Sequence, residues 1–118
     1  MVVEDEYFIR AMIADELRDY GFQVVECCTA DEAIDVLNSG ADIDVVFTDV
    51  RMPGSMDGLA LAGIVSAQFP DLTVVLTSSE NQRNGFAAVD FVPKPYRPAY
   101  VIHLINNLLR GTSKAARR

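Results

Sequence analysis

Short apolar runs alternate along this chain with stretches in which apolar residues recur every three or four positions. The first run, Met1 to Glu4, predicts a strand. Ile9, Met12, Ile13, Leu17 and Tyr20 then recur at helical spacing, and Gly21 is placed to cap that helix. Phe22 to Cys27 predicts a second strand. Thr29-Ala30-Asp31-Glu32 has the form of a capping box and opens a helix with Ala33, Ile34 and Leu37 inward, closed by Gly40. Ile43 to Asp49 predicts a third strand, apolar almost to its end, as a central strand covered on both faces should be. Beyond the loop from Arg51 to Gly58, Leu59, Ala62, Ile64 or Val65, and Phe69 mark a third helix, and Pro70-Asp71 turns it into a fourth strand, Leu72 to Thr77. Ser78 to Gly85 is polar and weakly patterned. A short fifth strand, about Ala88 to Val92, leads to a last helix that starts near Arg97-Pro98 and carries Val101, Leu104, Ile105 and Leu108 on one face.

Alternating strand and helix units imply right-handed crossovers and a parallel sheet. Five strands fit an α/β, doubly wound, flavodoxin-like sheet of order 2-1-3-4-5, with strands one and three at the switch point. Ligands of such sheets bind beyond the carboxyl ends of the strands. Those ends carry Glu4-Asp5, Asp49, Thr77 and Lys94, which should converge on one pocket. Carboxylates crowded there repel one another and stay ionised together only around a cation. Oxygen donors with partial hydration suit Mg²⁺.

Composition narrows the function classes. The chain has 118 residues, enough for one domain with a real core, and half of it is apolar. A net charge of −7 argues against a nucleic-acid-binding surface. No apolar run approaches the roughly 20 residues of a membrane span, and the N-terminus runs directly into a charged pair, so neither a signal peptide nor a membrane anchor is expected. Cys27 and Cys28 are adjacent, which disfavours a bond between them, so both are expected reduced, one in the core, in a cytoplasmic protein. The basic stretch 112–118 reads as a solvated tail or the start of a linker after a domain spanning residues 1–111.

Val2-Val3-Glu4-Asp5-Glu6, Thr48-Asp49-Val50-Arg51-Met52-Pro53-Gly54, Asp57-Gly58, Leu76-Thr77-Ser78 and Val92-Pro93-Lys94-Pro95, in this order, resemble a two-component response-regulator receiver domain over nearly the whole chain. Receivers share the flavodoxin-like strand order, so agreement on topology adds nothing independent. The resemblance implies a signalling switch rather than a turnover enzyme. Asp49 would accept a phosphoryl group from the phosphohistidine of a sensor histidine kinase or histidine phosphotransfer protein. Asp5, Glu4, Asp49 and the backbone carbonyl of Arg51 would ligate Mg²⁺. Thr77 and Lys94 would contact the phosphoryl oxygens, and autodephosphorylation would end the signal. Thr77 and Phe91 would form the switch, although Phe91 lacks the hydroxyl that a tyrosine would supply there. Asp57-Gly58 reads as the cap of the third helix. Tyr7, Phe8 and Arg10 are expected as exposed donor contacts.

The chain departs from the receiver pattern between Thr77 and Lys94, where fewer residues are present than a full fourth helix needs. A loop or a short, mobile helix is expected across 79–85. The face that receivers commonly use for output would be altered, leaving a monomer or weak homodimer. Two other readings compete. A pseudo-receiver would act through phosphorylation-independent protein contacts, and a Mg²⁺-dependent phosphatase or phosphotransferase would turn over a separate substrate through an aspartyl intermediate.

Overall fold

The structure is a computed structural model that describes residues 1–79 and 90–111. In chain order its elements are β1 (Val2–Val3), α1 (Tyr7–Tyr20), β2 (Glu26–Cys27), α2 (Ala30–Asn38), β3 (Val45–Asp49), α3 (Gly58–Gln68), β4 (Thr73–Ser78), β5 (Asp90–Pro93) and α4 (Pro98–Gly111). The strands form one five-stranded parallel sheet in the order β2-β1-β3-β4-β5, the doubly wound topology that the alternation predicts. The expectation for a shortened helix between β4 and β5 falls on residues outside those described.

Side chains alternate between the two faces of a strand, so the register sorts the core into two clusters. Val3, Cys27, Val46 and Leu76 meet Ala30, Ala33 and Leu37 of α2 and Leu61, Ala62 and Val65 of α3. Val2, Phe47, Val75 and Val92 meet Ile13 and Leu17 of α1 and Val101, Ile102 and Ile105 of α4. Burying a leucine or isoleucine of this kind stabilises the fold by about 1.5–3 kcal/mol.

Local chemistry sets the helix ends. Gly21, at φ +120°, turns the chain back so that its own N–H reaches Arg18 O and the N–H of Phe22 reaches Leu17 O, both at 3.0 Å. The capping box forms with a variation. Thr29 Oγ1 accepts from Glu32 N at 3.1 Å, while Glu32 Oε1 accepts from Cys28 N, one residue before the cap, at 2.7 Å. Asp57 Oδ1 caps α3 by accepting from Ala60 N at 2.9 Å. Pro98 opens α4, where a missing N–H is harmless. Both cysteines are free, Cys27 buried and Cys28 exposed.

Several boundaries differ from the sequence reading. β2 is an edge strand whose only neighbour, β1, offers two register positions, so pairing is confined to Glu26 and Cys27; Phe22 and Val24 still pack on the core. α2 ends at Asn38 with Ser39 as its C-cap, and Gly40, at φ +87° with its N–H on Leu37 O at 3.3 Å, closes it as expected. β3 begins at Val45 rather than Ile43. β4 runs one residue later than expected: Leu72 N–H bonds Phe69 O in the turn, while Ser78 pairs with Pro93.

Candidate functional site

Glu4 is the first residue beyond β1, and its N–H bonds Cys27 O at 3.0 Å, which continues the ladder into the turn. Its side chain is almost fully buried at the carboxyl end of the sheet, and Glu4 Oε2 accepts from Glu6 N at 3.2 Å. Asp5 follows in the exposed turn before α1. Asp49 closes β3, buried, with Thr77 opposite it in the β3–β4 register. Lys94 stands one residue past β5, where its N–H bonds Ser78 O at 2.9 Å; the Lys94–Pro95 peptide is cis.

The side chains converge as predicted. Lys94 Nζ donates to Glu4 Oε1 at 2.9 Å and to Asp49 Oδ2 at 3.0 Å, a contact across 90 and 45 residues of chain respectively. Glu4, Asp5 and Asp49 each bring a carboxylate oxygen to within 4.8 Å of the others, the one group among the described residues arranged to hold a metal ion. Burial pushes the Glu4 carboxyl above its ordinary value, and the negative Asp49 adds to this, against the Lys94 and Glu6 hydrogen bonds. Burial opposes the Lys94 ammonium, but its hydrogen bonds to Glu4 and Asp49 outweigh that and raise its pKa. One ammonium thus serves two carboxylates while a third stands close by. A hard divalent cation fits that donor set, because all three ligands offer oxygen and their charge exceeds what Lys94 neutralises.

Thr77, the register partner of Asp49, is buried. Its Oγ1 is the one buried side-chain polar atom among the described residues without a hydrogen-bond partner. A hydroxyl left so in the interior is unfavourable by about 1–3 kcal/mol, so its retention calls for a reason.

Arg51, expected to contribute only its backbone carbonyl, stands two residues beyond Asp49 with its side chain exposed in the loop leading to α3. Ser55 Oγ ties that loop to α2 by donating to both Asp31 oxygens at 2.8 Å. Phe91 is half-buried and packs with the α2–α3 cluster; its register partner is Leu76, whereas Val92 faces Thr77. Tyr7 and Phe8 are exposed, but Arg10 is not: its side chain is only 13% exposed and is engaged inside the protein, a correction to its expected place as a surface contact.

One participant was only half read from the sequence and a second escaped it. Gly58, expected as part of the α3 cap, also has a steric role. A Cβ there would collide with the Asp49 carbonyl oxygen and stand 2.8 Å from its carbon, so only glycine lets α3 start against the strand end that carries Asp49. Gly58 N–H also bonds Val50 O at 2.8 Å. Tyr96 packs edge-on against Phe47, with ring centroids 5.6 Å apart. Burial pushes its phenol up to about 12, with the Glu4 and Asp49 charges reinforcing the shift and Lys94 opposing it. Its place directly after Lys94-Pro95 was the only available signal.

Comparison with known proteins agrees with this geometry. Residues 1–106 match the family described as response regulator receiver domain. The response regulator protein FleR of Pseudomonas aeruginosa is 32% identical over 113 residues, covering 89% of this chain and 23% of FleR. The two-component response regulator ORR6 of Oryza sativa subsp. japonica is 34% identical over 118 residues, covering 92% of this chain and 69% of ORR6. Among solved structures, the receiver domain of NtrX from Brucella abortus superimposes with a TM-score of 0.83 at 31% identity, covering 92% of this chain and 96% of that one.

Proposed function

We infer, because this chain belongs to the response regulator receiver domain family, that it is a phosphorylatable switch with Asp49 as its phosphoacceptor. Receivers are signalling switches rather than turnover enzymes, and the finer reading rests on one observation: Asp49 Oδ2 shares the Lys94 ammonium with Glu4 in a pocket that also gathers Asp5. Asp49 would attack the phosphorus of a phosphohistidine in line. The new O–P bond forms as the P–N bond breaks, and the electron pair leaves on the imidazole nitrogen.

Each neighbour has a physical task in that transfer. Glu4, Asp5 and Asp49, with the Arg51 carbonyl, would hold Mg²⁺, which when bound neutralises charge on the phosphoryl oxygens. Lys94 supplies a second positive charge through a flexible stem already directed at Asp49. Thr77 Oγ1 has an unused hydrogen bond to donate, and a phosphoryl oxygen on Asp49 would be an acceptor for it. The partner would be a sensor histidine kinase or histidine phosphotransfer protein, docking beside the pocket on the exposed Tyr7, Phe8 and Met12 of α1. Among the described residues no helix is long and apolar enough to cross a membrane.

The test is intact mass after incubation with acetyl phosphate, with and without Mg²⁺. Wild type should gain one labile phosphoryl group only with Mg²⁺, and Asp49→Asn should gain none. Labelling of Asp49→Asn, or labelling independent of Mg²⁺, overturns the assignment.

A further inference from the structure

Arg10 sits on the first turn of α1 and reaches back six residues, its Nη1 donating to the backbone carbonyl of Glu4 at 2.9 Å. Glu4 is thereby held from both sides: its N–H by Cys27 of β2, its carbonyl by α1. That carbonyl belongs to the peptide joining Glu4 to Asp5, so the Arg10 bond sets the plane from which Asp5 projects. The guanidinium is itself fixed. Its Nε faces Glu26 Oε1 at 3.4 Å, its Cζ lies 5.4 Å from the centre of the Tyr7 ring, and the other oxygen of Glu26 is held by Arg18 Nη1 at 2.9 Å. Arg10 therefore has its charge balanced by Glu26 and places a geometrically rigid donor on the turn.

We propose that Arg10 is a positioning residue for the metal site, holding the Glu4–Asp5 peptide so that both carboxylates meet Asp49. This rests on the reading of the pocket as a Mg²⁺ site. Two acidic residues on a short turn can aim in many directions, and ligands whose supports are removed lose metal affinity by about 10- to 100-fold. The support here is a backbone bond from a different element, closed on the far side by an ion pair to the edge strand. Changing Arg10 alters the orientation of the ligands while leaving their number and chemistry intact.

The experiment is a calorimetric titration of the full chain with MgCl2 for wild type, Arg10→Met, Arg10→Lys and Glu26→Gln, paired with acetyl phosphate labelling across a Mg²⁺ series. Arg10→Met should bind Mg²⁺ about tenfold more weakly. Arg10→Lys, which keeps one donor, and Glu26→Gln, which loosens the brace, should fall between it and wild type. The labelling rate at saturating Mg²⁺ should return to within about twofold of wild type in every variant, because the ligands themselves remain. General structural damage would lower the rate at all Mg²⁺ concentrations. Unchanged Mg²⁺ affinity in Arg10→Met, or a rate that saturating Mg²⁺ fails to restore, overturns the proposal. If circular dichroism shows Arg10→Met unfolded, wild-type affinity in both Arg10→Lys and Glu26→Gln overturns it. A wild type that binds no Mg²⁺ at all would instead remove the underlying reading of the pocket.

Discussion

The two faces of the single sheet are put to different uses. The face under α2 and α3 is apolar through Val3, Val46 and Leu76, with Phe91 against it, and ends in the uncharged hydroxyls of Thr48 and Ser78. The face under α1 and α4 begins in the same way, with Val2, Phe47 and Val75. Two residues further along the strands it becomes Glu4, Asp49 and Thr77, all buried. The period of two that builds a core therefore also delivers three polar groups to one end of one face. Both faces supply packed core, but the face under α1 and α4 also carries the stability penalty of buried charge and an unpaired hydroxyl. Substitutions that cross this division should separate stability from function.

The largest expected effect comes from Gly58, where the helix of the apolar face starts against the backbone of Asp49. Gly58→Ala should destabilise the protein by more than about 3 kcal/mol in thermal or urea unfolding, because both obstructing groups are backbone. Gly63→Ala, in the same helix with open space around it, should instead stabilise by about 0.5–1 kcal/mol through helix propensity. Equal effects at the two positions would show that close approach at Asp49 is not what requires glycine.

Next is Lys94→Met, which leaves Glu4 and Asp49 facing each other without their shared cation. Unfolding should show a loss of roughly 2–3 kcal/mol, somewhat below the range for a fully enclosed pair because the Lys94 side chain is 18% exposed. Mg²⁺ should raise the melting temperature of Lys94→Met more than that of wild type, since the metal would no longer compete with an ammonium for the same oxygens. An equal shift in both proteins would separate the lysine from the metal site.

Thr77→Val should move stability the other way. It replaces a buried hydroxyl that has no partner with a methyl of similar shape, and should stabilise by up to about 1 kcal/mol. Thr48→Val on the opposite face removes a hydroxyl that donates to Asp49 O at 3.0 Å and should be destabilising. Opposite signs for two adjacent-register threonines would sharpen the contrast between the faces; matching signs would erase it.

The smallest effect is in the alkaline titration of Tyr96. Its neutral form is favoured in the folded state, so the folded protein keeps a proton there that the unfolded chain releases near pH 10. Stability from this group is constant below pH 10 and falls as pH rises through about 12. Absorbance at 295 nm should show one late-titrating tyrosine near pH 12, absent in Tyr96→Phe. Lys94, also raised, works in the same sense: its contribution is complete below 10.5 and is lost as pH climbs through its higher folded value.

Much of the site was legible because strand-end chemistry is local. An apolar run closing on Thr48-Asp49, or a capping box at Thr29, announces itself within a few residues. Gly58 was half legible: its role in the cap is local, but its approach to Asp49 O depends on the angle at which α3 meets β3. Arg10 was misplaced on the surface because nothing in a helical pattern reveals that a side chain folds back onto the preceding turn and an edge strand.

The sequence by itself determined the alternation of strand and helix, the parallel sheet that follows from crossover rules, and the identity of the residues at the strand ends, because each depends on periodicity or short-range chemistry. Only the tertiary structure decided that Lys94 lies between Glu4 and Asp49, that Thr77 Oγ1 is left without a partner, and that Arg10 braces the acidic turn. Those outcomes depend on distances between groups as much as 90 residues apart. Such distances are settled by the register and packing of whole elements, which no local pattern encodes.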